Sequence, residues 1–278
     1  MIIDSFLFND EKELLELRLK VLYDYVDKFI IIECDHTFNR ESKKLTCKKT
    51  LKELGFAKDP KIEVIEVNEK EGDIEKICRN LQTSKCSDDD ILIGADIDEI
   101  PNPKHLHKCF EFINENPDYL LLNQAVNLQY KVKYALSLDG INADIQYIPV
   151  MAKGSFWKFN SLYHVRFLIG QGGHVSQFPF HLHVMPVEYG WHLSWMGGKE
   201  KTLHKLKSHS WFQEPHAVRE KMKGKETEER IYQFDPNKDK RDLLGREGHT
   251  LIDFDYSEFF KLLKDLPHIK DFLLGRNI

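Results

Sequence analysis

Short apolar runs alternating with helical stripes set the pattern of this chain. Ile2-Ile3 through Phe6-Leu7-Phe8 reads as a first strand, Phe29-Ile30-Ile31-Ile32 as a second that ends in Glu33, and residues 62–67 as a third. Between the first two, Leu14, Leu15, Leu19, Leu22 and Val26 recur at helical intervals, and Asp10 and Glu13 have the spacing of a capping box, which predicts a helix over 11–25. A second helix is predicted over 74–82. Ile91-Leu92-Ile93 follows as a continuous apolar run, with acidic residues before it and Gly94-Ala95 after it. That pattern suits a buried central strand, and Pro101 and Pro103 are expected to stop regular structure beyond it.

Past residue 103 the pattern changes. A helix is expected over 105–114, a strand over 119–122, and further strands or aromatic-rich loops over 125–134 and 147–151. Residues 256–274 carry helical apolar spacing through Phe259, Phe260, Leu262, Leu263 and Phe272, so the tail is expected to dock as a closing helix. Strands alternating with helices imply an α/β fold with a mostly parallel sheet covered on both faces.

Composition narrows the function classes. With 278 residues, 41% of them hydrophobic, the chain can bury a full core. Lys and Arg total 40 against 45 for Asp and Glu, a balance without the basic excess that nucleic-acid binding requires. Five cysteines without C-x-x-C spacing argue for free thiols in a reducing compartment rather than a disulfide or zinc framework. The amino terminus lacks the basic start and cleavage site of a secretory signal, and no apolar run reaches the length of a membrane span. A cytoplasmic protein is expected.

The stretch 88–101, DDDILIGADIDEIP, carries the first candidate chemistry. Asp96, Asp98 and Glu99 follow the central strand directly, and carboxylates at that end of a buried strand lie where open α/β sheets bind ligands. Two aspartates one residue apart can hold a hard divalent cation, which in turn neutralises a diphosphate. A solvated acidic loop is the plainer alternative. The second dense stretch, 181–198, packs His181, His183 and His192 among Trp191, Trp195 and a Gly-Gly pair. His181 and His183 alternate with Leu182 as one face of a strand, so His192 is the histidine expected to join the aspartates. Trp157, Phe159, Tyr163 and Phe167 each read first as core residues, although one or two could form a platform for a sugar ring.

Ile2 to Asn9 followed by Glu13-Leu14, then Glu33 with Thr37-Phe38, then DDDILIGADIDEIP and GWHLSW, resemble family 17 of the glycosyltransferases in order and spacing over roughly the first 200 residues. The lack of an anchor or disulfide pattern makes the chain similar to the short bacterial or viral type. The resemblance implies a GT-A-like, Rossmann-like mixed sheet flanked by helices, with residues 1–103 as the nucleotide-sugar half, 104–218 as the acceptor side and 219–278 as a charged segment with a closing helix. It also implies a UDP-sugar donor, UDP-GlcNAc first, a glycan or glycoconjugate acceptor, Mn²⁺ or Mg²⁺, and inversion at the anomeric carbon.

Residue by residue, Asp96 and Asp98 match the acidic motif and would hold metal and donor, with His192 as a further ligand. Glu33, Thr37, Arg79, Arg166 and Trp191 are the other donor-side candidates, although Cys78 stands before Arg79 where the family has glutamine. Such a transfer also needs a carboxylate to take the acceptor's proton. Asp144, Glu188 and Glu214 are candidates, each near aromatic or His-rich segments. The charged stretch 219–248 could act as a lid, with Lys240, Arg241 or Arg246 reaching phosphates. Two rivals stay open. A metal-dependent phosphoesterase would need two cations about 3.5–4 Å apart, and a non-catalytic carbohydrate-binding protein would keep the aromatic surface without turnover.

Overall fold

The computed structural model describes residues 1–170, 179–208, 229, 231–235, 238 and 249–274. The chain forms two compact units, each made of two stretches: Met1–Ala125 with Gln146–Trp191, and Val126–Ile145 with His192–Ile278. The consecutive stretches 1–103, 104–218 and 219–278 expected from the sequence give the order of the chain, and the compact units interleave across it.

In the first unit, β1 (Ile2–Leu7) lies between β2 (Lys28–Cys34) and β4 (Ile91–Asp96), and β3 (Ile62–Val67) flanks β2, all four parallel. The strand order 3-2-1-4 is the Rossmann-like arrangement that crossover helices α1 (Lys12–Leu22), α2 (Cys47–Glu53) and α3 (Ile74–Leu81) impose. β8 (Ile145–Lys153) then adds antiparallel to β4, making the sheet mixed and the fold GT-A-like, as expected. Ile3, Ile30, Ile32, Leu92, Val150 and Ala152 share one core with Trp157 of the short helix α5 (Gly154–Trp157), Leu162 and Val165. Each such buried aliphatic side chain contributes about 1.5–3 kcal/mol of transfer free energy, which holds the central strands in register.

Several local expectations change. The helix expected over 11–25 spans Lys12–Leu22, and the capping box does not form. Asp10 turns to φ 68° and its Oδ1 accepts a hydrogen bond from the Thr46 hydroxyl, a partner 36 residues away. Pro103 does not stop regular structure but starts it: it occupies the first turn of α4 (Pro103–Glu115), where a missing N–H costs nothing, and Asn102 caps that helix by accepting from Lys104 N at 3.2 Å. Pro101 closes the short strand β5 (Glu99–Pro101), which pairs with β9 (His181–Ser194). The strand expected over 119–122 runs on without a break as β6 (Tyr119–Gln129), because almost every residue in it is buried.

In the second unit, the end of β6 pairs with β7 (Tyr134–Ser137), which pairs antiparallel with β10 (Thr250–Asp253). Tyr130, Tyr134, Trp195, Leu203, Ile231 and Leu251 form its core. α7 (Gly198–Ser208) follows β9. The closing helix expected over 256–274 is two helices, α8 (Ser257–Lys261) and α9 (Pro267–Leu274), because Pro267 begins a new one. Gly197 sits at φ 91° against the Phe272 ring, where a Cβ would lie 2.4 Å from Cε2, so this half of the Gly-Gly pair is required by close approach. Among the described residues no helix is long and apolar enough to cross a membrane.

Candidate active site

β4 delivers Asp96 at the carboxyl end of the sheet, opposite Leu7 of β1. The chain then turns through Ile97 and Asp98 into β5. Asp98 and Glu99 are each 2% exposed, so this turn is not a solvated acidic loop. Its backbone is held on several sides. Glu99 Oε2 accepts from Asp96 N at 2.8 Å, and Gln82 Nε2 donates to both Ala95 O and Ser5 O at 2.8 Å, tying β4 to β1.

Two arginines from separate helices converge on the Asp96 carboxylate. Arg79, on α3, donates Nη1 to Oδ1 at 2.8 Å and Nη2 to Oδ2 at 3.1 Å. Its Nε donates to Glu75 Oε1 at 2.9 Å, one helical turn earlier. Arg166, on α6 (Leu162–Gly170), donates Nη2 to Asp96 Oδ2 at 3.0 Å and to Glu99 Oε1 at 2.5 Å, with Nη1 on Glu99 Oε2 at 2.7 Å. Burial pushes the Asp96 carboxyl up, but the charges of Arg79 and then Arg166 outweigh it and hold the group well below the usual carboxylate range. Burial likewise works against the Arg79 and Arg166 guanidinium charges, and Asp96 with Glu75 or Glu99 reverses its effect. The Asp96 side chain keeps 30% exposure, so one face of this ionised cluster remains open to solvent.

Glu33 has a different environment. It is fully buried, with Oε1 accepting from Thr46 N at 2.8 Å and Oε2 from Cys47 N at 2.9 Å. Lys43 Nζ and the Thr46 hydroxyl complete the set at 3.3 Å. The carboxylate thus caps the start of α2 and fixes the loop that precedes it. Thr37 closes a tight turn in that loop, its hydroxyl accepting from Glu41 N at 3.1 Å. Beside it, His36 Nδ1 meets Asp35 Oδ1 at 2.8 Å.

Trp191 is buried near the end of β9, and His192 is half-buried one residue further on. His181 and His183 lie on one face of β9, as their alternation suggests, stacked on Tyr119 and Phe112 with ring centroids 5.0 and 4.2 Å apart. Of the four aromatics considered for a sugar platform, Trp157 is core and Phe159 is 89% exposed. Glu188 is exposed on β9, where its carbonyl accepts from Asn102 Nδ2 at 2.8 Å. Asp144 is half-buried and its Oδ2 accepts from Asn127 Nδ2 at 3.0 Å. Glu214, Lys240, Arg241 and Arg246, and with them most of the supposed lid, lie outside the described residues.

Among the described residues no group of three or more His, Cys, Asp or Glu side chains is gathered to hold a metal.

Sequence reading missed Arg18 and Gln82, which anchor the turn from inside the core. The available signal was a charged residue between Leu17 and Leu19 on a helix whose neighbours are buried.

Three solved structures are similar at low identity. S. aureus TarS 1-349 is 12% identical over 80% of this chain and 69% of its own, with a TM-score of 0.43. GalNAc-T7 with UDP, GalNAc and Mn²⁺ is 11% identical over 95% of this chain and 54% of its own, with a TM-score of 0.46. Mannose-6-phosphate isomerase from Helicobacter pylori is 12% identical over 61% and 77%, with a TM-score of 0.38. No curated protein matches the chain. A family model, Glycosyltransferase family 17, matches residues 1–164, a span that includes β1, the Glu33 loop, Arg79 and the whole acidic turn, and the chain belongs to that family.

Proposed function

We propose that this enzyme is a metal-dependent, inverting glycosyltransferase that moves a sugar, GlcNAc from UDP-GlcNAc in the first instance, to a hydroxyl of a glycan acceptor. The observation that carries the reading is the acidic turn at the end of β4, with Asp98 beside an Asp96 clasped by Arg79 and Arg166. Open α/β sheets bind nucleotides at that edge. Asp98 would hold Mn²⁺ or Mg²⁺ together with the donor diphosphate, and Asp96 would orient the donor. The cation, when bound, supplies positive charge to the departing diphosphate.

The chain's own residues supply the rest. Arg79 and Arg166 keep Asp96 ionised and fixed, so the site meets its ligand without reorganising. Glu33 enters through the loop 35–46 that follows β2 and that it anchors, and Thr37 through the turn it closes in that loop. Trp191, in the unit that carries Asp96, belongs to the same proposal as a donor-side residue. The acceptor hydroxyl must lose a proton as it attacks, and Asp144, Glu188 and Glu214 remain the carboxylates proposed to take it. Of these Glu188 is favoured, because its side chain is exposed and belongs to the unit that carries Asp96.

Calorimetric titration of the protein with UDP-GlcNAc, UDP-Gal, UDP-Glc and GDP-Man, each with and without Mn²⁺, tests the reading. Binding of a UDP-sugar that requires Mn²⁺ is the expected result. Absence of binding to all four with Mn²⁺ present would overturn it.

A further inference from the structure

The acidic turn is gripped from its buried side by a residue that no substrate can reach. Arg18 of α1 is fully buried, and so is Asp4 of β1. The two meet as a fork, Nε to Oδ2 at 2.8 Å and Nη2 to Oδ1 at 2.6 Å. The remaining terminal amino group, Nη1, reaches past the pair and donates to two backbone carbonyls, Asp96 O at 3.0 Å and Glu99 O at 2.7 Å. The guanidinium carbon also lies 4.7 Å from the centre of the Phe6 ring, which covers one face of the planar group.

Two features separate this from an ordinary buried ion pair. A buried pair alone often contributes little net stability, because desolvation offsets attraction. Here the pair's spare donors are spent on the first and last residues of the turn 96–99, and Asp98 lies between the two anchored carbonyls. We propose that Arg18 is a positioning residue: with Asp4 it fixes the turn from behind, and so sets the place of Asp98 for the cation and diphosphate. The inference rests on the reading of Asp98 given above. Only arginine can do this from that position, because four hydrogen bonds leave three nitrogens of one rigid plane, whereas a lysine ammonium presents a single point of donation.

Two variants test it. Arg18→Lys keeps the charge next to Asp4 and loses the carbonyl contacts. Asp4→Leu with Arg18→Met replaces the pair by apolar side chains of similar volume, a change that buried pairs often tolerate without loss of stability. Hydrogen exchange at the amides of residues 96–101 reads the turn without any ligand, and Mn²⁺ half-saturation of UDP binding reads its consequence. In both variants we expect faster exchange confined to that stretch, and a Mn²⁺ half-saturation raised on the order of tenfold, the usual effect of removing a group that orients a metal ligand. Unchanged exchange in the folded double variant would overturn the inference, as would raised exchange with unchanged Mn²⁺ half-saturation. If the unaltered protein binds no UDP with Mn²⁺, the functional reading fails, while exchange still decides whether Arg18 holds the turn.

Discussion

Arg79 and Asp96 meet fork to fork across the crevice, with Nη1–Oδ1 at 2.8 Å and Nη2–Oδ2 at 3.1 Å. Paired bonds of this kind fix orientation as well as charge, and a lysine cannot reproduce them. Arg79→Lys is therefore expected to lower stability by about 1–2 kcal/mol and to weaken UDP-sugar binding, because Asp96 would no longer be held in one direction. Denaturant midpoints and calorimetric affinities measured on the same preparation check this. Wild-type values for both would show that the fork is incidental.

Acid should act on this cluster with a definite sign. The Asp96 carboxyl is lowered in the folded protein by Arg79 and Arg166 against the opposing effect of burial. Its contribution to stability is present in full above the ordinary carboxylate value of about 3.9 and is lost as pH falls through the lower folded value. Asp96→Asn removes that titration. The wild-type protein should lose stability more steeply than the variant as pH drops below about 4. Thermal melts at stepped pH values read the two slopes, and parallel curves would refute the assignment.

Glu33 offers a separation of stability from binding. Its carboxylate takes the backbone N–H groups of Thr46 and Cys47 while wholly buried. Glu33→Gln puts an amide donor where one of those N–H groups points, which is expected to cost about 2 kcal/mol. Hydrogen exchange should rise at residues 43–47. If instead stability stayed unchanged and UDP affinity fell, Glu33 would be a direct ligand contact.

The return of the chain after β8 depends on one missing Cβ. A methyl group at Gly154 would lie 1.8 Å from the carbonyl oxygen of Ser87, which is backbone and cannot step aside. Gly154→Ala is expected to destabilise by about 3 kcal/mol or more, read as a fall in melting temperature. Near-wild-type stability would mean that the loop before β4 yields easily.

Much of this arrangement is written locally and some of it is not. The strands that carry Glu33 and Asp96 show as apolar runs because they are buried on both faces, and α3 shows its own signals, with Asp73 accepting from Lys76 N and Glu75 one turn before Arg79. Asp10 is the opposite case: its spacing to Glu13 is that of a cap, yet a hydroxyl 36 residues away draws it elsewhere. Pro103 carries the same ambiguity, since a proline that breaks one element is equally suited to begin the next. Arg166 shares Asp96 and Glu99 across about 70 positions, and Arg18 reaches Asp96 and Glu99 across about 80. Long-range ion pairs leave no periodic trace, so the acidic motif is legible from its strand, Arg79 and Arg166 enter only through the family resemblance and as donor-side residues, and Arg18 does not enter at all.

The division of labour proposed for the two aspartates follows from that frame. Asp96 spends both oxygens on arginines, and Asp98, two residues on in the turn, is buried to 2%. Asp98→Asn preserves shape and removes the negative charge. It is expected to weaken Mn²⁺-dependent UDP binding on the order of a hundredfold, about 2.7 kcal/mol. Asp96→Asn leaves two guanidinium groups without their shared anion, so it should destabilise the fold itself, with a smaller change in Mn²⁺ half-saturation among molecules that remain folded. Manganese titrations of both variants, followed by their UDP affinity and set beside their melting temperatures, give the order directly. If Asp96→Asn removed the metal response and Asp98→Asn mainly lowered stability, the roles would be reversed.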